Sequence, residues 1–269
     1  MFVLVKGAGD LASGIACRLH RAGLQVVMTD LAEPTAIRRS VAFAQAMYDG
    51  SAMVEDIEGI LVKNSLEAMI ALQKGKIAVL VDPECNILQE MHFDAVVDAI
   101  LAKYNINTNI EQAPIVLGVG PGFTAPVDCH AVVETRRGHD LGRVILQGSA
   151  EANTGIPGVI GGYGIERVIY SPAAGVFTPA NKIGDLVKQG QVLGHVDGVP
   201  VLATIDGVLR GILQAGLSVP EHMKIGDIDP RAQVENCFTV SDKARAIGGG
   251  VLEALFYFST KQKKEKNDA

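Results

Sequence analysis

The first thirty residues constrain the fold of this chain more than any other segment. An apolar run at positions 2–5 is followed by Gly7, Gly9 and Ala12, then by an amphipathic stretch, and then by a second apolar run that ends at Asp30. The order of strand, glycine turn, helix, strand and terminal acid is typical of a dinucleotide-binding βαβ unit. We therefore predict such a unit over residues 1–30.

Each small residue of the predicted turn has a physical reason. Gly7 permits the tight turn, Gly9 lets the backbone approach a phosphate, and Ala12 allows the helix to pack closely on the strand. The free N–H groups and the dipole of the helix start favour an anion. We predict that Gly7, Gly9, Ala12 and the following Gly14 bind a cofactor. Asp30 is predicted to bind the ribose of that cofactor.

Asp10 complicates this interpretation, because it lies inside the turn where a pyrophosphate would bind. A carboxylate at that position repels phosphate unless a cation or a different ligand pose intervenes. Asp10 either caps the helix through its side chain or contacts a ligand or cation directly. A capping Asp10 would occupy N–H groups that a phosphate needs, which weighs against a nicotinamide dinucleotide.

Two further pairs of residues are candidates for the same site. A helix is predicted over 36–48, with Arg38 and Arg39 in its early turns, where dinucleotide-binding folds meet the adenosine ribose and any 2′-phosphate. Solvated surface charges are an equal alternative. Gly120 and Gly122 follow another apolar run, and their N–H groups would form an anion nest; a plain Pro-Gly turn is the alternative.

Composition narrows the class of protein. The 269 residues are 48% hydrophobic, enough for about two domains with sizeable cores. The net charge of −6 argues against a nucleic-acid partner. The chain has no apolar run of about 18 residues and no signal peptide, so we expect no membrane partner and a cytoplasmic location. Its four cysteines are widely separated, which makes disulfides and a metal site unexpected.

An internal repeat lies in the second half of the chain. Residues 175–177 match 207–209, Gly184 matches Gly216, and Gly194 matches Gly226, all at one spacing. Two short copies cannot each bury a core, so we expect them to pair into one small β barrel or sandwich. Residues 172–230 resemble the biotinyl/lipoyl-type barrel-sandwich family. The stretch 200–207 has no lysine at the expected hairpin tip, so no biotin or lipoate attachment is predicted.

These observations predict an α/β chain with a Rossmann-like parallel sheet and a second, smaller all-β barrel-sandwich domain. A Gly- and Pro-rich linker at 153–162 separates the two. The predicted boundaries are 1–160 for the Rossmann-like nucleotide-binding domain, 165–236 for the β domain, and 237–260 for a helix that returns to the first domain. Ser241 is its expected N-cap, and Ile247, Val251 and Leu255 form its apolar face.

Taken whole, the chain resembles the YqeB-type accessory proteins of selenium-dependent molybdenum hydroxylases, on residues 6–14, 38–39, 120–123, 133–135, 138–139, 141–143, 224–231 and 241–243. The resemblance implies a maturation role, a hydroxylase partner and the molybdenum cofactor as cargo. It brings no catalytic residues, so whether the chain is an enzyme stays open, as does homo-oligomer formation. A nucleotide or molybdenum-cofactor dinucleotide is the expected ligand. The alternatives are an NAD(P)-dependent oxidoreductase and an interaction scaffold without a ligand.

Overall fold

The computed structural model describes the backbone of residues 1–267 and the side chains of residues 1–264. It is a mixed α/β structure with one large mixed sheet and two smaller antiparallel sheets. We call the large sheet with its helices the sheet unit, and the two small sheets the β unit. Among residues 1–267, none of the helices combines the length and the apolar character that a membrane span requires.

The sheet unit contains nine strands in the spatial order β3-β4-β5-β2-β1-β6-β7-β8-β9. All neighbours pair in parallel except β3 with β4 and β8 with β9 at the two edges. The strands are β1 (Phe2–Lys6), β2 (Gln25–Asp30), β3 (Ser51–Val54), β4 (Ile57–Val62), β5 (Ile77–Val81), β6 (Ala95–Asp98), β7 (Ile115–Val119), β8 (Ala131–Val133) and β9 (Val144–Ile145).

Helices cover both faces of this sheet, so its central strands are continuous apolar runs. The helices are α1 (Asp10–Arg21), α2 (Ala46–Asp49), α3 (Ser65–Gln73), α4 (Ile87–Glu90) and α5 (Asp242–Asn267). One core lies between the sheet and α1 with α5, and includes Val5 and Ile15. A second core lies on the other face, between the sheet and α3 with α4, and includes Leu4 and Ala68.

The β unit consists of two four-stranded sheets, with the orders β10-β17-β15-β12 and β14-β13-β11-β16. Its strands are β10 (Val168–Tyr170), β11 (Gly175–Pro179), β12 (Leu186–Val187), β13 (Val192–Val196), β14 (Val199–Leu202), β15 (Gly207–Ile212), β16 (Ser218–Val219) and β17 (Lys224–Asp229). The sequence repeat is the structural repeat, because β11, β12 and β13 correspond to β15, β16 and β17. The copies exchange their shortest strands, β12 pairing with β15 and β16 with β11.

The prediction of a helix over 36–48 is wrong for most of its length. The segment forms two 3₁₀ turns, Arg39–Val41 and Phe43–Gln45, and only then the short α2. Two of its backbone N–H groups bond to residues far along the chain instead of the preceding turn. Phe43 donates to the Ser13 hydroxyl at 2.8 Å, and Ala44 donates to the carbonyl of Ala8 at 2.8 Å. The need to satisfy contacts with α1 overrides the helical pattern.

Helix α5 returns to the sheet unit through its apolar face. Ile247, Val251 and Leu255 are buried in the core that α1 also lines, and the Ser241 hydroxyl accepts the N–H of Ala244 at 3.2 Å, as expected of an N-cap. The triple glycine in this helix permits close backbone packing. A Cβ at Gly250 would lie 2.0 Å from the carbonyl oxygen of Gly142, so any side chain there would force α5 away from the loop that precedes β9.

Candidate functional site

The turn after β1 has the geometry that its glycines predict. Gly7 adopts a positive φ of 92°, and its N–H donates to the carbonyl of Thr29 on the next strand at 2.8 Å. A Cβ at Gly7 would lie 3.0 Å from the carbonyl oxygen of Ala99. Gly9 is extended and is the N-cap of α1, while a Cβ at Gly9 would meet nothing within 4 Å. Gly7 therefore shapes the turn, and Gly9 faces open space.

Asp30 joins the end of β2 to this turn. One carboxylate oxygen accepts the N–H of Ala8 at 2.7 Å, and the other accepts the N–H of Leu31 at 2.8 Å. Burial raises the pKa of the Asp30 carboxyl, and the two N–H groups only partly oppose that effect. Each oxygen keeps a further lone pair, so the carboxylate can still accept a hydrogen bond from a ligand hydroxyl.

The interpretation of Asp10 as an N-cap is wrong. Gly9 occupies the cap position without any side-chain cap, and Asp10 is the first residue of α1. The Asp10 carboxylate turns instead toward Arg38, whose Nη1 donates to Oδ2 at 2.8 Å. Its other oxygen, Oδ1, is buried and finds no partner within the described residues. The structure thus supplies a cation beside Asp10 and leaves the first N–H groups of α1 uncapped.

Arg38 and Arg39 both point away from a ribose site and toward other parts of the chain. Arg38 is only 6% exposed, and its Nη2 donates to the carbonyls of Asn236 and Thr239 at 3.1 and 3.2 Å. Arg39 donates to the carbonyl of Ile212 and to Gln214 in the β unit, at 2.8 and 2.9 Å. Both arginines therefore connect units of the chain.

A cavity of about 540 Å³ lies at the carboxyl ends of the central strands. Its walls are the turn and the start of α1 (residues 7 and 9–12), the end of β2 with residues 34–36, Pro83 and Glu84 after β5, and residues 99–101 with Ile106 after β6. The volume lies within the range of small-molecule sites, and clefts at this edge of an open α/β sheet are where ligands bind. This cavity is the candidate functional site.

The structure brings Gly7, Gly9, Asp10, Ala12 and Asp30 together around the cavity, but places the other predicted site residues elsewhere. Gly14 packs against α5, since a Cβ there would lie 2.5 Å from that of Ala244. Gly120 packs against Thr135, and Gly122 lies against the backbone of Tyr104. The last two glycines therefore hold the loop after β6 in place instead of lining the cavity.

A buried polar cluster, which the sequence did not lead us to predict, lies beside the cavity. Lys6 is fully buried at the end of β1, in register with Asp98 on β6. Its Nζ donates to Asn107 at 2.7 Å and to Thr108 at 2.5 Å, and Thr108 donates to Asp98 at 2.6 Å. The sequence did contain a signal for this cluster, because Lys6 and Asp98 each end an otherwise apolar run. The cluster anchors the loop that forms one wall of the cavity.

The cysteines and His130 do not form a nucleophile–base pair among the described residues. All four thiols are buried, and burial raises the pKa of Cys129 to about 11 and that of Cys17 to about 12. The Nδ1 of His130 accepts the N–H of Val116 at 2.9 Å, and burial lowers the pKa of this imidazole. Cys85 lies 3.4 Å from the hydroxyl of Thr29, which lines the cavity, and burial raises the pKa of its thiol as well.

Comparison with known proteins places the chain beside one curated relative. It is 52% identical over 253 residues to the "uncharacterized protein YqeB" of Escherichia coli strain K12. The aligned residues are 94% of this chain but 47% of that protein, so the chain spans about half the length of the relative. This similarity supports a YqeB-type sequence over the matched region. No protein-family model matches the chain.

Solved structures match only weakly. An aspartoacylase family protein from Mesorhizobium loti has 13% identity and a TM-score of 0.29, with 86% of each chain covered. A succinylglutamate desuccinylase/aspartoacylase from Rhodobacter sphaeroides has 14% identity and a TM-score of 0.23, with 83% of this chain and 86% of that chain covered. Scores of this size carry no information about the function of this chain.

Proposed function

We propose that the chain is an accessory factor in the maturation of a selenium-dependent molybdenum hydroxylase, and that it binds a nucleotide or the dinucleotide form of the molybdenum cofactor in the cavity beside Gly9. The observation that carries the proposal is the position of this glycine turn. It lies on the central strand β1, at the point where the strand order reverses, which is where open α/β sheets bind nucleotides.

The sheet order supports a Rossmann-like assignment for residues 1–160. When the inserted β3 and β4 are left out, the parallel strands have the order β5-β2-β1-β6-β7-β8. That order equals the 3-2-1-4-5-6 order of dinucleotide-binding sheets when these six strands are numbered along the chain. The uncapped N–H groups at the start of α1 then face the cavity as phosphate donors.

The repeat supports a barrel-sandwich assignment for the β unit, over about residues 165–236. The two copies of the repeat exchange the strands β12 and β16. Together they enclose a single core that contains Phe177 and Leu209. We propose that this unit docks on the client hydroxylase or closes over the bound ligand, while the helix that starts at Asp242 holds it to the sheet unit.

Cargo binding fits the residues of the cavity better than hydride transfer. The Asp10 carboxylate lies at the start of α1 and is paired with Arg38, so it does not distinguish one dinucleotide from another. A phosphate of either ligand that lies on the Gly9 side of the turn avoids Asp10. The cavity also lacks an acid–base pair with a proton-transfer geometry among its described lining residues.

The matched variants Gly9→Leu and Gly249→Leu test ligand binding. Neither glycine has a positive φ or a neighbour within 4 Å of an added Cβ, so both variants should fold. Leucine at position 9 enters the cavity mouth, whereas position 249 lies on α5. We expect the wild type and Gly249→Leu to bind AMP, ADP or a molybdopterin dinucleotide in calorimetry. We expect affinity to fall at least about tenfold in Gly9→Leu.

A second measurement tests the biological role. The hydroxylase is produced in cells that carry the wild type or either variant, and its specific activity, molybdenum content and selenium content are measured. Normal maturation with Gly9→Leu, or no binding of any of these ligands to the wild type, would refute the proposed function.

One observation favours the oxidoreductase alternative. Asp30 lines the cavity at the end of β2 and retains lone pairs for a ribose hydroxyl, as in NAD sites. Because Arg38 and Arg39 are engaged elsewhere, a 2′-phosphate has no obvious partner, so NADH is the cofactor to test. Tight NADH binding with oxidation in a substrate screen would favour this alternative over cargo binding.

A further inference from the structure

Three carboxylates line the cavity beside Gly9, from Asp10, Asp30 and Glu84. Among its described lining residues there is no lysine, arginine or histidine, and most of the others are apolar. A phosphate group is therefore favoured at the start of α1, where the free N–H groups lie. The rest of the cavity favours an uncharged part of a ligand that donates hydrogen bonds to carboxylates.

Glu84 is the lining carboxylate that is least engaged with the protein. Both oxygens of Asp30 already accept backbone N–H groups. Asp10 is paired with Arg38 at 2.8 Å, and its other oxygen is buried. Glu84 is exposed, and its carboxylate makes no hydrogen bond or ion pair with any residue of the described part of the chain. Both of its oxygens are therefore open to a ligand.

A closed β-turn fixes the backbone that carries Glu84. The N–H of Cys85 donates to the carbonyl of Asp82 at 3.1 Å, so Glu84 occupies a central position of the turn. The buried side chain of Asp82 accepts two backbone N–H groups at the start of α4, each at 2.9 Å. The turn is thus anchored on both sides, and Glu84 is held at the rim of the cavity.

The order of the strands places Glu84 where the base of a nucleotide would lie. β1 pairs with β2, and β2 pairs with β5, all in parallel. The glycine turn, Asp30 and Glu84 therefore follow three neighbouring strands. Because neighbouring strands are about 4.8 Å apart, β5 lies about 10 Å from β1. A phosphate at the turn and a ribose at Asp30 would leave the base beside Glu84.

Apolar side chains flank the same part of the cavity. Leu31 and Pro34 follow β2, and Pro83 precedes Glu84 in its turn. Leu31 is 51% exposed, so a flat ring that lay against it would remove apolar surface from water. The walls thus suit a planar heteroaromatic ring, and Glu84 offers that ring two acceptors at its edge.

We propose that Glu84 recognises a ring with two adjacent N–H donors, which is the 2-amino-4-oxopyrimidine edge that guanine and pterins share. The two carboxylate oxygens would accept the ring N–H and the exocyclic amino group in parallel. Adenine instead presents one donor beside a ring nitrogen whose lone pair would face a carboxylate oxygen. The position of the ring rests on the nucleotide site of the proposed function, and Glu84 adds the class of ring that this site selects.

Calorimetry of the full chain with GMP, AMP and neopterin, a pterin without phosphate, tests this selectivity. The variant is Glu84→Gln, and the matched control is Glu90→Gln. Glu90 is an exposed glutamate at the end of α4, and it is not among the cavity-lining residues of the described chain. Both variants lose one negative charge, so a general charge effect on nucleotide binding should be alike in the two.

We expect the wild type and Glu90→Gln to bind GMP or neopterin at least about tenfold more tightly than AMP. In Glu84→Gln this preference should disappear, because an amide matches the donor and acceptor of adenine as well as it matches guanine. A structural role of Glu84 would instead lower the affinity for all three ligands alike. The inference is overturned if neither GMP nor neopterin binds more tightly than AMP, or if Glu84→Gln keeps the preference.

The same titrations distinguish the two sources of the ring. Preference for GMP with no binding of neopterin assigns a guanine nucleotide, whereas neopterin binding that Glu84→Gln weakens assigns a pterin. GMP and AMP bound equally, and both weakened by Gly9→Leu, would remove the role of Glu84 but keep the nucleotide site. Neopterin bound through Glu84, with normal hydroxylase maturation in Gly9→Leu, would refute the maturation role but keep the role of Glu84.

Discussion

The two copies of the β repeat share a pattern but differ in their surroundings. We compare residues 175–197, the first copy, with residues 207–229, the second. Their inward residues are equivalent, since Phe177 and Leu209 are both fully buried in one core. Their outward residues are not, because Val176 is 45% exposed whereas Val208 is 0% exposed. The second copy is buried on both sides, by its own core and by the sheet unit.

The contact of the second copy with the sheet unit is accompanied by a difference in the burial and pairing of two equivalent acids. Ile212 donates to the carbonyl of Ile37 at 2.8 Å, and a Cβ at Gly211 would lie 3.0 Å from that carbonyl oxygen. Asp197 is exposed and, among the described residues, accepts only the N–H of Val176, at 3.1 Å. Its counterpart Asp229 is fully buried and is bound to Arg231. One repeat unit thus serves as a solvated surface in one copy and as an interface in the other.

Truncation of the inward residues should have the largest effect and should be similar in both copies. Phe177→Ala and Leu209→Ala each leave a cavity in the shared core, so we expect a loss of about 3–5 and about 2–5 kcal/mol in the free energy of unfolding. Chemical denaturation of each variant measures the loss. A small cost at one of the two positions would show that the copies do not share one core.

Replacement of the equivalent acids Asp229 and Asp197 should change the stability of the protein by different amounts. Asp229→Asn leaves Arg231 and Arg210 without their carboxylate, and we expect a loss of about 2–3 kcal/mol. Asp197→Asn, the matched control in the first copy, should stay within about 0.5 kcal/mol of the wild type. Equal costs in denaturation would contradict the view that only the second copy is an interface.

The pH dependence gives a further test of Asp229. Burial alone would raise the pKa of this carboxyl, but the hydrogen bonds and charge of Arg231, with the charge of Arg210, lower it overall. A lowered folded-state pKa stabilises the protein above the unfolded value of about 3.9 and loses that effect as the pH falls through the folded-state value. The stability difference between wild type and Asp229→Asn should be constant near neutral pH and should shrink below about pH 4. A difference that does not change with pH would exclude this charge interaction.

The smallest expected difference concerns the outward valines. Val208→Thr puts a hydroxyl at a fully buried position and should cost about 1–2 kcal/mol. Val176→Thr puts the same hydroxyl into solvent and should change stability by less than about 0.5 kcal/mol. Thermal unfolding distinguishes the two variants if its error is below about 0.5 kcal/mol. An unchanged stability of Val208→Thr would contradict the view that this outward position is buried away from water.

Local patterns were enough to predict several elements. The turn of Gly7 and Gly9 and the apolar face of α5 follow from spacing that involves near neighbours only. The helix over 36–48 and the Asp10 cap were wrong for one reason. Residues far along the chain, among them Ser13, Ala8 and Arg38, offered better hydrogen-bond partners than the local helix.

Short-range periodicity and the conformational freedom of glycine were sufficient to predict the βαβ start, the placement of Asp30 beside the turn, and the repeat in the β unit. Local patterns could not predict which copy of the repeat is buried, where Arg38 and Arg39 point, or that Lys6 meets Asp98 and Thr108. Burial and charge pairing depend on which elements meet in space, and that arises from the packing of the two units together.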